Sequence, residues 1–91
     1  MKKATRLFIS GTVQGIFFRK FIEEKARQLK LNGLVRNLED GSVEIIIEGQ
    51  DNPIMEMIDI TKKGSLHSKI EHIEYREIKH QGFDNFKVLN F

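Results

Sequence analysis

The sequence lacks several features that would assign it to a specialised class of protein. None of its 91 residues is cysteine, which excludes both a disulfide framework and a thiolate metal site. No apolar run approaches the roughly 20 residues that a helix needs to cross a membrane. The first residues, MKKATRLFIS, contain only a brief apolar stretch that carries an arginine, which is untypical of a signal peptide. We therefore expect a single domain, residues 1–91, that folds without cross-links, stays off membranes and works in the cytoplasm.

Charge of both signs is present, but it is unevenly distributed. Residues 1–36 hold nine Lys or Arg against two acids, a net +7, whereas residues 37–91 hold six bases against eleven acids, a net −5. A basic half can raise the local concentration of a small anion, although most such lysines are ordinary solvated residues. The three histidines lack metal-ligand spacing, so we expect no metal and no other cofactor.

Hydrophobic periodicity predicts the first half of the fold. Residues 5–12 alternate and are rich in β formers, which predicts a first strand. From about Phe18 to Lys30 the apolar residues recur on one face of a helix. We expect Asn32-Gly33 to end this helix, because glycine accepts the left-handed conformation that helix ends favour.

Turn residues delimit the second half. Asp40-Gly41 separates two strand-like runs, which predicts a hairpin with a type I′ turn. In the second run Val43, Ile45 and Ile47 share one face. A second helix is predicted with Asn52 as its cap, Pro53 at its first position, Gly64 at its end and an inward stripe of Ile54, Met57, Ile58 and Thr61. Strands are predicted from about Lys69 to Lys79 and over residues 86–91.

The resulting element order is β-α-β-β-α-β with a short extra strand at the C-terminus. This order predicts an α+β, ferredoxin-like sandwich, in which an antiparallel sheet carries both helices on one face. The architecture hosts enzymes, regulatory modules and RNA binders alike, so function has to be argued from a site.

The stretch GTVQGIFFRKF, residues 11–21, is the first candidate site. A loop that enters a helix presents backbone N–H groups without intrahelical partners, and Gly15 lets a ligand approach them closely. Converging amides, the helix dipole and the planar guanidinium of Arg19 would suit a phosphoryl group or sulfate. The alternative is a plain turn. We expect the side chains of Phe17 and Phe18 to be core or loop-wall residues and not contacts of a ligand.

The segment GLVRNLEDGSVE, residues 33–44, is the second candidate. Asparagine is disfavoured in strands, yet Asn37 lies on the predicted strand before the hairpin, on the same face as Val35. It either marks a strand end or provides a carboxamide that orients a water molecule. Arg36 points to the other face, where we expect solvent or a surface ion pair. Glu44 and Glu48 are expected to face solvent or bases on neighbouring strands.

Together the two segments closely resemble the signatures of the acylphosphatases, which read approximately G-x-V-Q-G-V-x-F-R and G-W-V-R-N-x-x-D-G-x-V-E. The separation of the signatures and the chain length also match, and the resemblance covers essentially the whole chain. Ile16 stands where valine is usual, and Leu34 stands where tryptophan is common. Neither departure touches Arg19 or Asn37.

The resemblance implies roles for individual residues. Arg19 is expected to bind the substrate phosphate, with backbone amides from Gln14, Gly15, Ile16, Phe17 and Phe18, while Asn37 positions the hydrolytic water. The family hydrolyses small acyl phosphates to a carboxylate and inorganic phosphate without a cofactor. We expect inorganic phosphate to act as product and inhibitor, and the chain to be a monomer.

Two other functions share this fold or this site. RNA-recognition modules have the same element order, but they stack bases on aromatic residues of the central strands. The run SVEIIIEG has no aromatic residue and two glutamates, so we expect no nucleic-acid partner. A non-catalytic, phosphate-binding regulatory module would share the loop and Arg19; Asn37 favours the enzyme. Acylphosphatase-like domains also open the large carbamoyl-transferring proteins of hydrogenase maturation, but nothing follows the domain here, which favours the free-standing enzyme.

Overall fold

A computed structural model describes residues 2–13, 16–66 and 68–89 of the chain. It contains five strands and two helices, in the order β1 (Lys3–Thr12), α1 (Ile16–Gln28), β2 (Asn32–Asn37), β3 (Val43–Gly49), α2 (Asp51–Lys63), β4 (Lys69–Ile78) and β5 (Phe86–Leu89). The strands form one sheet in the order β4-β1-β3-β2-β5. Four strands pair antiparallel, and β5 adds to β2 as a parallel edge strand. This confirms the predicted ferredoxin-like sandwich and makes the sheet mixed.

The core lies between the helices and one face of the sheet. The inward stripe of α2 is buried as predicted, over Ile54, Met57, Ile58 and Thr61. Val43, Ile45 and Ile47 meet it from the central strand β3, and Phe18, Ile22 and Ala26 meet it from α1. Each helix of the described chain has 13 residues, and neither is long and apolar enough to cross a membrane.

Helix α1 begins and ends two residues earlier than its apolar pattern predicts. Its end is set by Lys30, which takes a left-handed conformation with φ 58°. The N–H of Lys30 donates to the carbonyl of Arg27 and that of Leu31 to the carbonyl of Ala26, the two bonds of a Schellman motif. The prediction that Asn32-Gly33 ends the helix is therefore wrong, because both residues lie in β2.

Gly33 serves strand packing instead. Its φ is 144°, and a Cβ on it would lie 1.8 Å from the carbonyl oxygen of Ile46. Only a residue without a side chain allows β2 to approach β3 this closely.

The β2–β3 hairpin and the start of α2 also differ from expectation. Leu38 and Ser42 close a loop whose one positive-φ residue is Gly41, at 91°. Asp40 does not share that conformation, so the turn is not type I′ but resembles a type I turn followed by a left-handed glycine. Helix α2 begins at Asp51 after Gln50, two residues before Pro53. Proline is still tolerated there because first-turn N–H groups have no intrahelical partner.

The face of β3 away from the core carries two buried glutamates. Glu44 is 4% exposed and lies between Arg6 and Arg36, on the two strands that flank β3. Glu48 is 3% exposed and accepts hydrogen bonds from the backbone N–H groups of residues 81–83, in the β4–β5 loop. Of the two expectations for Glu44, solvent or bases on neighbouring strands, the second is confirmed. The same expectation is wrong for Glu48, which is buried and bonded to backbone amides, with Nε2 of His80, in the loop after β4, 3.5 Å from its Oε1.

Candidate active site

The topology brings three strand ends and one helix start to the same end of the sheet. Because β1 and β2 both run antiparallel to β3, they run in the same direction, and β5 runs parallel to β2. The chain therefore leaves these strands at Thr12, Asn37 and Leu89 on one side of the sheet, here called the site end. Helix α1 starts just beyond Thr12, so its N-terminus lies at the site end as well.

The predicted amide loop is partly helix. Gln14 and Gly15 fall outside the described residues, whereas Ile16, Phe17 and Phe18 form the first turn of α1 instead of a loop. First-turn N–H groups have no carbonyl partner within the helix, and they carry the positive end of the helix dipole. No acidic residue occupies this turn. The N-terminus of α1 is thus electrostatically suited to an anion.

The side chains of this turn face in different directions. Phe18 is 3% exposed and begins the buried stripe of α1, which confirms a core role. Phe17 is 83% exposed, so of the two expected positions, core or loop wall, the core is wrong for it. Ile16 is also exposed.

Arg19 follows this turn, and its guanidinium reaches the neighbouring edge strand. Nη1 donates to the carbonyl oxygen of Leu89 at 3.1 Å. Leu89 is paired with Arg36 in the β2–β5 ladder, and Arg36 directly precedes Asn37. The guanidinium is thus held next to the end of β2. The sequence alone gave no indication of this contact, because it joins residues 70 positions apart.

Asn37 is the last residue of β2 and lies on the face that carries the helices. It is paired with Val43, a core residue of β3, and residues opposite each other in a ladder share a face. Its Oδ1 atom is buried and accepts no hydrogen bond within the described chain. Buried polar atoms of folded proteins usually have a partner, so a donor such as a water molecule fits this oxygen.

Arg36, the neighbour of Asn37, forms an ion pair on the opposite face of the sheet. Its Nε lies 2.5 Å from Oε1 of Glu44. Arg6 Nε lies 3.2 Å from the other carboxylate oxygen, within ion-pair distance but without the alignment of a hydrogen bond. The predicted surface ion pair of Arg36 is confirmed. Glu44 thereby pairs with two cations and offsets one of their two positive charges.

Asp40 has a structural role in the hairpin, as its position in the turn predicts. Its carboxylate accepts hydrogen bonds from the hydroxyl and the backbone N–H of Ser42. These two hydrogen bonds lower the pKa of Asp40 below its usual value, and the bond from the Ser42 hydroxyl has the larger effect. A carboxylate held ionised in this way stabilises the loop and is unsuited to donate a proton.

Comparisons with known proteins bear on the family and the fold of the chain. The family model described as Acylphosphatase matches residues 5–88. The acylphosphatase of Syntrophus aciditrophicus is 37% identical over 90 residues, which cover 98% of this chain and 94% of that relative.

Two solved structures have nearly the same backbone. The crystal structure of acylphosphatase from Bacillus subtilis aligns with a TM-score of 0.92 and 35% identity, over 99% of this chain and 100% of that one. An acylphosphatase structure from Coxiella burnetii aligns with a TM-score of 0.91 and 31% identity, over 97% and 93% of the two chains. The chain therefore belongs to the acylphosphatase family, the enzymes that hydrolyse acyl phosphates.

Proposed function

We propose that Arg19 and the backbone amides at the start of α1 bind the phosphoryl group of an acyl phosphate, and that Asn37 orients the attacking water. The amides are those of the predicted set, Gln14, Gly15, Ile16, Phe17 and Phe18. The observation that carries the proposal is the buried Oδ1 of Asn37, which has no donor among the described residues and lies at the same end of the sheet as the N-terminus of α1. A water held there would donate to Oδ1 and keep a lone pair free for phosphorus.

The proposed reaction is a single in-line displacement at phosphorus. The water oxygen forms a bond to phosphorus while the bond between phosphorus and the acyl oxygen breaks. The electron pair of the broken bond stays on the acyl oxygen, which leaves as a carboxylate. The proton of the water passes to the phosphate, because the carboxamide of Asn37 is too weak a base to take it.

This chemistry needs few protein groups. A carboxylate is a good leaving group, so neither a covalent nucleophile nor a strong general acid is required. Phosphoryl transfer asks mainly for positioning and for stabilisation of charge on the equatorial oxygens. The guanidinium of Arg19 and the amides supply that stabilisation, so the proposal requires no metal ion.

We also propose that residues 1–91 act as one domain, which works as a monomer in the cytoplasm. A single sheet and a single core cluster over the described residues support one domain. Inorganic phosphate presents the same oxygens as the substrate, so we expect it to compete for Arg19 and the amides.

The experiment is hydrolysis of benzoyl phosphate by the purified chain in EDTA, followed by ultraviolet absorbance against a control without enzyme. We expect turnover that survives chelation and is competitively inhibited by inorganic phosphate. Turnover that disappears in EDTA and returns with a divalent cation would contradict the metal-free mechanism. Non-competitive inhibition by phosphate would contradict the shared binding site.

A further inference from the structure

We infer that Phe17 contacts the acyl part of the substrate and gives the enzyme a preference for acyl phosphates with an apolar acyl group. The inference rests on the proposed function, which accounts only for recognition of the phosphoryl group. It assigns a specificity-determining role to a side chain that the predicted mechanism uses only through its backbone amide.

Phe17 contributes little to the fold. Its side chain is 83% exposed, whereas its neighbour Phe18 is buried in the core. Burial of a phenyl ring stabilises a protein only where the ring leaves water, and a ring this exposed gains almost none of that free energy. The exposed large apolar side chains in the described part of the chain are Ile16, Phe17, Met55, Leu66 and Tyr75. Two of them, Ile16 and Phe17, occupy the single helical turn whose amides are proposed to bind phosphate.

Helix geometry places the Phe17 ring over the start of α1, where the phosphoryl group is proposed to bind. Cα–Cβ bonds tilt towards the N-terminus of a helix, so a side chain in the first turn extends over the helix start. Phe17 and Arg19 are two positions apart, which separates them by about 200° around the helix axis. Arg19 reaches β5 on one side. Phe17 therefore leaves the guanidinium unobstructed and lies on the other side of the helix start.

In-line geometry places the acyl group on the outer side of the site. The water proposed to bind Asn37 attacks from the sheet, because Asn37 is on the helix-bearing face at the end of β2. The leaving oxygen must lie roughly opposite the attacking oxygen, across the phosphorus. The acyl group then points away from the sheet, where the first turn of α1 exposes Phe17 to solvent.

The substrate class that fits is an acyl phosphate with a flat or branched apolar acyl group. An aromatic acyl group can pack against the Phe17 ring, and such pairs contribute beyond the area they bury. A methyl group, as in acetyl phosphate, is too small to cover the ring. Since the contact is open to water on one side, we expect a selectivity of about five- to tenfold.

The test compares benzoyl phosphate with acetyl phosphate in the wild type and in Phe17→Ala. We expect the ratio of kcat/KM for benzoyl phosphate to kcat/KM for acetyl phosphate to fall about five- to tenfold in Phe17→Ala. The inhibition constant of inorganic phosphate should stay the same, because phosphate has no acyl group. Phe17→Leu, which keeps apolar bulk, should retain part of the preference.

Met55→Ala is the matched control. Met55 is 56% exposed, and it lies near the start of α2, which follows β3 at the end of the sheet opposite the site. It should leave both substrates unaffected.

A loss in Phe17→Ala that is equal for the two substrates, or a raised phosphate inhibition constant, would overturn the inference, because the ring would then act through the amide geometry. Unchanged kinetics on both substrates would overturn it as well. Either result leaves the proposed hydrolysis in place. A wild-type chain that hydrolyses neither substrate would overturn the proposed function itself.

Discussion

At the residue scale, Arg19 and Asn37 come from different elements and should fail in different ways. Arg19→Ala removes the guanidinium that binds the substrate phosphate, so we expect kcat/KM to fall by about 10³ or more and competitive inhibition by phosphate to weaken sharply. Asn37→Ala leaves the phosphate contacts in place, so we expect kcat to fall by about 10² with phosphate inhibition unchanged. Steady-state kinetics with benzoyl phosphate measures both quantities.

Arg27→Ala is the matched control for Arg19. Arg27 lies two turns further along the same helix, and its Nη2 donates to the carbonyl oxygen of Phe86 on the same edge strand. It should change turnover and phosphate inhibition far less than Arg19→Ala does, because it removes an anchor of β5 but no phosphate ligand. Normal phosphate inhibition in Arg19→Ala, or normal turnover in Asn37→Ala, would contradict the assigned role.

The stability of Asn37→Ala provides an independent readout. Truncation of Asn37 breaks no hydrogen bond from the described residues to Oδ1, so the fold loses little with that oxygen. The free energy of unfolding in urea should therefore stay constant or rise in this variant while turnover is lost. A clear loss of stability would mean that the carboxamide serves the fold instead of the water.

These residue-scale roles were accessible from the sequence to different degrees. Arg19 and Asn37 stand in two local motifs, so the sequence predicts both without a structure. Phe17 stands in the same motif, but a pattern of apolar residues does not separate it from Phe18. That distinction requires the helix start at Ile16, which fixes the rotation of the helix. The contact from Arg19 to Leu89 depends on β5 pairing with β2, which no local pattern records.

At the element scale, local patterns predicted which elements form more reliably than where they end. All seven elements and the inward face of α2 follow from periodicity and turn residues. The wrong predictions concern the end of α1, the start of α2 and the hairpin turn, because several residues near each boundary could serve. Glycine at position 33 was available to end α1, but the close approach of β2 to β3 requires it there. Lys30 therefore takes the left-handed position, against its own preference.

The left-handed conformation of Lys30 allows a quantitative prediction about the stability of the α1 end. A left-handed conformation costs a non-glycine residue about 1–2 kcal/mol, whereas glycine loses about 0.5–1 kcal/mol more entropy on folding. Lys30→Gly should therefore raise the free energy of unfolding by about 0.5 kcal/mol, measured by urea denaturation.

Lys30→Ala is the control, because alanine keeps the strain and should bring no gain. Lys30 is solvent-exposed, so neither variant removes a buried side chain and the two differ mainly in backbone conformation. Equal effects of glycine and alanine would show that φ at this position does not limit stability.

At the scale of the whole molecule, β5 connects the two ends of the sheet. At the far end, the carboxylate of Glu48 accepts the backbone N–H groups of residues 81–83 in the loop that leads into β5. At the site end, the last carbonyl of the same strand accepts the guanidinium of Arg19. Because β5 has only four residues and pairs with one neighbour, its position depends on such anchors.

We therefore expect Glu48→Gln to affect the site although Glu48 lies at the other end of the sheet. The amide group of glutamine replaces one acceptor oxygen by a donor that faces backbone N–H groups, and hydrogen bonds to a charged group are each worth about 1.5–3 kcal/mol. The free energy of unfolding should fall by about 2 kcal/mol. Amide hydrogens of residues 86–89 should exchange faster, and the inhibition constant of phosphate should rise because Arg19 loses part of its support.

Glu77→Gln removes the same charge from an exposed position on β4 and should change none of these quantities. If Glu48→Gln lowered stability but left β5 exchange and phosphate inhibition at wild-type values, the two ends of the sheet would be independent, and Arg19 would be positioned by α1 alone. If all three quantities moved together, β5 would be the element through which a buried carboxylate at one end of the sheet sets the geometry of phosphate binding at the other.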